Sequence, residues 1–245
     1  MLFPLKDDIP TRTVPFVTVG LMALNILVFL YQLSLELGAE PAARGATEAF
    51  VFEFGLIPCR LSGARPAVGG CPGLGDFPSP VLTIFTSMFL HGGLFHIFGN
   101  MLYLWIFGNN VEDTLGHGRF LGFYLAAGVA AALSQTLISP SSSIPMIGAS
   151  GAVSGVLGAY LLLFPHASVL TLLFFGFFIR IVRIPALLVL GFWIVIQFLS
   201  GIITFGSTVT GEPQGGVAFF AHIGGFLAGI VLLLALKPRR PLRFS

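Results

Sequence analysis

The chain has 245 residues, 56% hydrophobic and 9% charged, with a formal net charge of +2. That composition excludes a disordered chain and is far from that of an ordinary soluble domain. It also lacks the basic surface that a nucleic-acid partner requires.

Several apolar stretches are long enough to cross ~30 Å of hydrocarbon, which takes roughly 20 helical residues. They predict spans near 14–33, 93–112, 120–139, 148–165, 186–205 and 217–236. The expected fold class is therefore all-α, a polytopic six-helix membrane bundle forming a single membrane-embedded domain over 1–245. The first span contains Asn25 and Tyr31 and is long for a signal-peptide apolar region, so it is read as retained.

Six spans put both termini on one side, and the cations say which. With the termini cytoplasmic, Lys6, Arg12, Arg119, Arg180, Arg183, Lys237, Arg239, Arg240 and Arg243 lie inside, against Arg44, Arg60 and Arg65 outside. This is the bias expected of cytoplasmic segments and predicts a cell-membrane protein. The basic C-terminus suits anionic inner-leaflet lipid.

The longest polar connection, 34–80, holds both cysteines, Cys59 and Cys71. Two thiols in one outside loop predict a disulfide in an oxidising compartment, the alternative being two free thiols. The second span opens at a Gly92-Gly93 break and carries His91, His96 and Asn100. His96 and Asn100 share a helix face. A zinc-protease helix would place its histidines four apart with a glutamate after the first; here Gly92 follows His91 and the spacing is five, so no metal is expected. Glu112, Asp113 and Arg119 are expected to order the inner loop after this span, with His117 and His166 interfacial. Gln135, in the third span, faces either the cavity or a neighbouring helix.

The fourth span is short. Ser150 to Pro165 is 16 residues, or ~24 Å of helix, which puts Ser150 roughly 6 Å below the outer edge of the core. The polar, non-helical stretch 139–145 precedes it. Irregular backbone at that depth is tolerated where it lines a wet cavity or is buried in protein. His222 lies ~8 Å into the last span, with His96 ~5 Å and Asn100 ~10 Å into the second. Polar groups in hydrocarbon are functional hypotheses by default, and three helices bring theirs to one level. Gly151, Gly155 and Gly158 line one face of the fourth span. Gly225 and Gly229 share the His222 face of the sixth. Small residues on both faces allow the close approach that a Ser–His pair needs. Residues 167–185, apolar but with Arg180 and Arg183, are expected along the cytoplasmic interface. No Asp or Glu sits in a span at the Ser150 level, so a dyad is expected rather than a triad.

Gly148-Ala149-Ser150-Gly151, Ala221-His222-Ile223-Gly224-Gly225 with Gly229, and His91-Gly92-Gly93-Leu94-Phe95-His96 with Asn100-Met101 together resemble the rhomboid family of intramembrane serine proteases. The resemblance runs from about Thr83 to Leu236. It implies a six-helix core that cleaves single-span membrane proteins within the lipid bilayer, near the outer ends of their spans, without a cofactor. It further implies Ser150 as nucleophile, His222 as base, and His96, Asn100 and the Ser150 amide as the oxyanion site, supported by Gly148. His91 looks structural.

Two departures stand out. Several members place an aromatic residue four positions after the nucleophile, stacked on the histidine; here that residue is Ser154, and no ring is expected on His222. The Trp-Arg pair common in the first outside loop is missing from 34–80. The alternative classes are a non-catalytic relative that binds membrane proteins, which would lack Ser150 or His222, and a channel, which would need polar lining through both leaflets.

Overall fold

The computed structural model describes residues 2–37, 45–66, 69–73, 78–176, 178–209 and 217–237. Arg44, Arg239, Arg240 and Arg243, which carry part of the charge argument, lie outside the described residues.

The chain is mostly helical. Strand β1 (Leu2–Lys6) leads to α1 (Phe16–Glu36), then the short helices α2 (Ala46–Phe54), α3 (Pro58–Ser62) and α4 (Pro80–Thr86). Next come α5 (Leu94–Tyr103), a π-turn at Leu104–Gly108 and α6 (Asn109–Leu115), followed by α7 (His117–Ile138) and α8 (Ser150–Leu163). A hairpin of β2 (Ser168–Phe175) and β3 (Phe178–Pro185) precedes α9 (Ala186–Val209) and α10 (Phe219–Leu236).

Among the described residues, four helices are long and apolar enough to cross a membrane: α1, α7, α9 over Ala186–Thr204, and α10. Pro80–Phe89 and Leu94–Leu115, bent by 84°, together supply a further candidate span. Helix α8 has only 14 residues, about 21 Å at 1.5 Å per residue. It compensates by position. Every residue from Gly151 to Tyr160 is buried, so α8 is sheathed by protein rather than lipid. Large apolar side chains such as Leu27, Leu137, Leu188, Ile203 and Leu234 point outward. With lipid as apolar as the interior, polar side chains are the ones that must turn in. On α1 these are Thr18, Asn25 and Gln32, all buried.

Helices α8 and α10 cross on glycine. A β-carbon at Gly225 would overlap the Gly151 carbonyl oxygen, and one at Gly229 the Gly155 carbonyl. At Gly158 it would strike the Phe226 carbonyl. A β-carbon at Gly155 would lie 2.5 Å from that of Ala127 on α7 and 3.1 Å from the Gly225 carbonyl oxygen on α10. The helices touch backbone to backbone, which maximises dispersion contact where no hydrophobic effect drives association.

The end of the bundle away from Ser150 is held by acids. Glu112 accepts hydrogen bonds from the amides of Val17 (2.9 Å) and Thr18 (2.7 Å) and from Thr18 Oγ1 (2.6 Å). It thus caps the start of α1, which has no cap of its own. Asp113 accepts from the Thr13 amide (3.0 Å) and Thr13 Oγ1 (2.7 Å). These two acids therefore order the entry to α1, and the loop they were expected to order receives only the Glu112–His117 contact at 2.6 Å. Asp7 Oδ2 accepts from Asn110 Nδ2 and Tyr160 OH, both at 2.6 Å. Burial pushes the Asp7 carboxyl up, against the Tyr160 hydrogen bond that holds it down.

Residues 168–175 and 178–185 are strands that the sequence reading did not name. They form an antiparallel hairpin, and β1 adds to it in the order β1-β2-β3. Val169 and Thr171 are buried while Phe174, Ile179 and Ile181 are exposed. Alternation with period two, hidden within an almost uniformly apolar run, is what makes it a sheet.

The glycine crossing yields the first prediction. Gly225→Val should destabilise the bundle by about 1–3 kcal/mol through overpacking, read by reversible unfolding in bilayer or detergent. Gly99→Ala, where the added carbon meets nothing, should leave stability unchanged or slightly higher. Equal stabilities for the two variants would contradict the crossing.

Candidate active site

Ser150 is the first residue of α8, and His222 lies in the first turn of α10. The Gly151–Gly225 contact draws these two helix starts together. His222 Nε2 stands 2.8 Å from Ser150 Oγ. Both line a cavity of about 430 Å³ together with His96 and small or flexible residues such as Ala131, Ala152 and Met146.

Gly148 has φ +119°, a conformation that side chains rarely adopt. A β-carbon there would sit 2.7 Å from His96 Nε2. Glycine is therefore required both by the backbone and by the imidazole pressed against it. The Gly148 amide donates to the Ser87 carbonyl at 2.8 Å, which fixes the entry to α8. Upstream, Leu56 and Met146 exchange backbone hydrogen bonds, and the Cys59 amide donates to the Ser142 carbonyl at 3.0 Å. The segment containing Cys59 thus braces the irregular stretch before Ser150. Cys59 and Cys71 are joined by a disulfide in the structure.

His96 Nδ1 accepts from the Gly92 amide at 3.2 Å. A neutral imidazole has one donor and one acceptor nitrogen. Nε2, the nitrogen beside Gly148, therefore carries the proton. Asn100 is buried with its Nδ2 unpartnered, but it is not among the residues lining the cavity. His91 packs edge-on against His96 with ring centroids 5.1 Å apart. Its main chain is clamped by Gln32, whose Oε1 accepts from the His91 amide at 3.0 Å and whose Nε2 donates to the His91 carbonyl at 3.2 Å.

One sequence expectation is corrected. His222 is not bare: the Trp193 ring lies 5.9 Å away at a 35° tilt, and Nδ1 is 2.7 Å from Gln197 Oε1. Ser154, at the position where an aromatic was missed, instead donates to the Ser150 carbonyl at 2.6 Å. Gln135 accepts from the Ala221 amide at 3.3 Å, so it braces a neighbouring helix rather than the cavity. The residues missed from sequence are Gln32, Trp193 and Gln197. Each is a polar or amphipathic group inside a span, and that was the available signal.

Residues 78–239 match the Rhomboid domain. The chain belongs to the rhomboid family. As a rhomboid it is similar to Rhomboid protein 1, mitochondrial, of Saccharomyces cerevisiae, 29% identical over 64% of this chain and 42% of that one. It is also similar to Rhomboid protease GluP of Bacillus subtilis, 45% identical over 32% of this chain and 15% of the relative. RHOMBOID-like protein 1 of Arabidopsis thaliana is 34% identical over 62% of the chain and 33% of its own length. This rhomboid thus spans less than half the length of these curated relatives. It is a multi-pass membrane protein.

The second prediction concerns the brace before Ser150. In protein prepared under oxidising conditions, Cys59 and Cys71 should resist alkylation until reduced. Replacing both with alanine should cost roughly 3 kcal/mol, the loop-closure entropy of a loop of about 13 residues. Full alkylation without reduction would contradict the pairing.

Proposed function

We propose that the protein is an intramembrane serine endopeptidase that cleaves single-span membrane proteins with a Ser150–His222 dyad. The observation that carries this reading is the 2.8 Å contact between Ser150 Oγ and His222 Nε2, made between two helices on the wall of a cavity. A protein that only bound other membrane proteins would have no need of that pair.

The steps follow from the geometry. Ser150 Oγ attacks the scissile carbonyl while His222 Nε2 takes its proton. Negative charge then develops on the carbonyl oxygen beside the start of α8. There the first amides have no acceptor within the helix, and the dipole is positive. His96 Nε2–H, fixed as a donor by the Gly92 amide, faces the same place. Asn100 Nδ2, buried without a partner, supplies a further donor once substrate or a small side-chain rotation brings it into reach. These donors stabilise the oxyanion. The intermediate collapses to an acyl-enzyme as the His222 imidazolium protonates the leaving amine. Water then attacks the ester, giving its proton to His222, and Ser150 is regenerated. No metal or cofactor enters these steps.

The architecture completes the reading. We take α1, Leu94–Leu115, α7, α8, α9 and α10 as six spans of one membrane-embedded domain, with both termini cytoplasmic in a cell membrane. Lys6, Arg12, Arg119, Arg180 and Arg183, all at the end opposite Ser150, support that orientation. The cavity then opens to the outside, where the ends of substrate spans lie.

The test is labelling and cleavage by the purified protein. A fluorophosphonate should label wild type at Ser150 and fail on Ser150→Ala and His222→Ala. Both variants should accumulate in the membrane yet lose cleavage of a single-span substrate by orders of magnitude. Robust cleavage by Ser150→Ala would refute the assignment. His96→Ala and Asn100→Ala should each lower kcat by about 10²–10³ with little change in KM. An effect through KM alone would remove them from the oxyanion site.

A further inference from the structure

We propose that Gln197 is a positioning residue that holds His222 in the tautomer able to act as a base, with Trp193 fixing the plane of the ring. The inference rests on the hydrolase reading above.

The chemistry of the contact decides the tautomer. A carboxamide oxygen has no proton to give, so the 2.7 Å contact between Gln197 Oε1 and His222 Nδ1 requires the proton on Nδ1. In a neutral imidazole that leaves Nε2 with its lone pair. Nε2 is the nitrogen 2.8 Å from Ser150 Oγ. The other tautomer would place N–H opposite the serine hydroxyl and leave His222 unable to accept its proton. Gln197 thus selects between a competent and an incompetent base.

Glutamine suits the setting. A carboxylate there would sit in the apolar part of α9, where an ionised group is costly. A neutral amide supplies the acceptor without that cost. It also stabilises the imidazolium less than an acid would, a compromise imposed by lipid.

The support comes from one helix face. Leu190, Trp193, Gln197 and Gly201 follow one another at helical spacing on α9. Leu190 is fully buried, and a β-carbon at Gly201 would meet Phe219 and Phe220 of α10. Between these positions Phe192, Val195, Ile196, Phe198 and Leu199 are exposed. Those exposed side chains face lipid, and the inward stripe carries both groups that touch the His222 ring. Displacing α9 from α10 would unset His222 without touching Ser150.

The test uses the full chain in nanodiscs with ¹⁵N-labelled histidine, assigned by comparison with His222→Ala. His222 in wild type should show a protonated Nδ1 and an unprotonated Nε2. Gln197→Leu should lose that preference and lower kcat by about 10²-fold, with KM nearly unchanged. Gln197→Glu restores the acceptor. It should recover the tautomer and much of kcat, and it should move the acidic limb of the pH profile to higher pH, because the carboxylate favours the imidazolium. His96 is the other titratable group on this cavity, and His96→Ala should leave that limb shift in place.

A purely structural role predicts otherwise. Folded protein and activity would fall together in Gln197→Leu while the tautomer in the folded fraction stayed fixed, and Gln197→Glu would not move the limb. That result, or a wild-type His222 protonated on Nε2, overturns the proposal. If wild type shows the Nδ1–H tautomer but takes no fluorophosphonate, the hydrolase reading fails and the positioning contact stands.

Discussion

The structure depends on two helices meeting at their backbones. Lipid gives α8 and α10 no hydrophobic reason to associate, so the contact must come from close packing. Gly151 against Gly225 and Gly155 against Gly229 leave no room for a β-carbon at either crossing. Ser150 precedes the first of these glycines by one residue, and His222 precedes its partner by three. Glycine packing therefore brings Ser150 and His222 within reach of each other. Burial of α8 on all sides follows from the same crossing, and it lets a helix too short to span the membrane sit at its centre.

The polar groups paired around the Ser150–His222 contact are neutral, whereas acids serve as the buried hydrogen-bond acceptors at the opposite end. Near Ser150 the hydrogen bonds run between neutral partners: His222 with Gln197, His96 with the Gly92 amide, His91 with Gln32. At the other end Glu112 caps α1 and Asp7 joins Asn110 to Tyr160. Desolvating a charge costs more than desolvating an amide. The same cost explains why the group facing His222 Nδ1 is a glutamine and not an acid.

Much of this was legible in the sequence. Apolar length located the helices, and the depth of Ser150, His222 and His96 brought them to one level before any coordinates. The Gly151 and Gly225 positions were readable as close approaches. Three things were not. The hairpin at 168–185 is apolar on both faces, so its period-two signal was masked, and pairing with β1 depends on residues far away in the chain. Asn100 was expected on the His96 face, but whether it reaches the cavity depends on a rotation about the helix axis that spacing does not fix. Gln197 and Trp193 carry no motif. Their meaning appears only when α9 is packed on α10, with His222 25 residues further along the chain.

Whether His222 acts on the atom held at position 150 can be measured without a substrate. With Cys59 and Cys71 bonded, Ser150→Cys carries a single free thiol, whose alkylation rate against pH reports its ionisation. An imidazole at hydrogen-bond distance lowers a thiol from its usual value of about 8.5. The account expects an alkylation midpoint well below that in Ser150→Cys, rising when His222→Ala is added. The same midpoint in both proteins would contradict it.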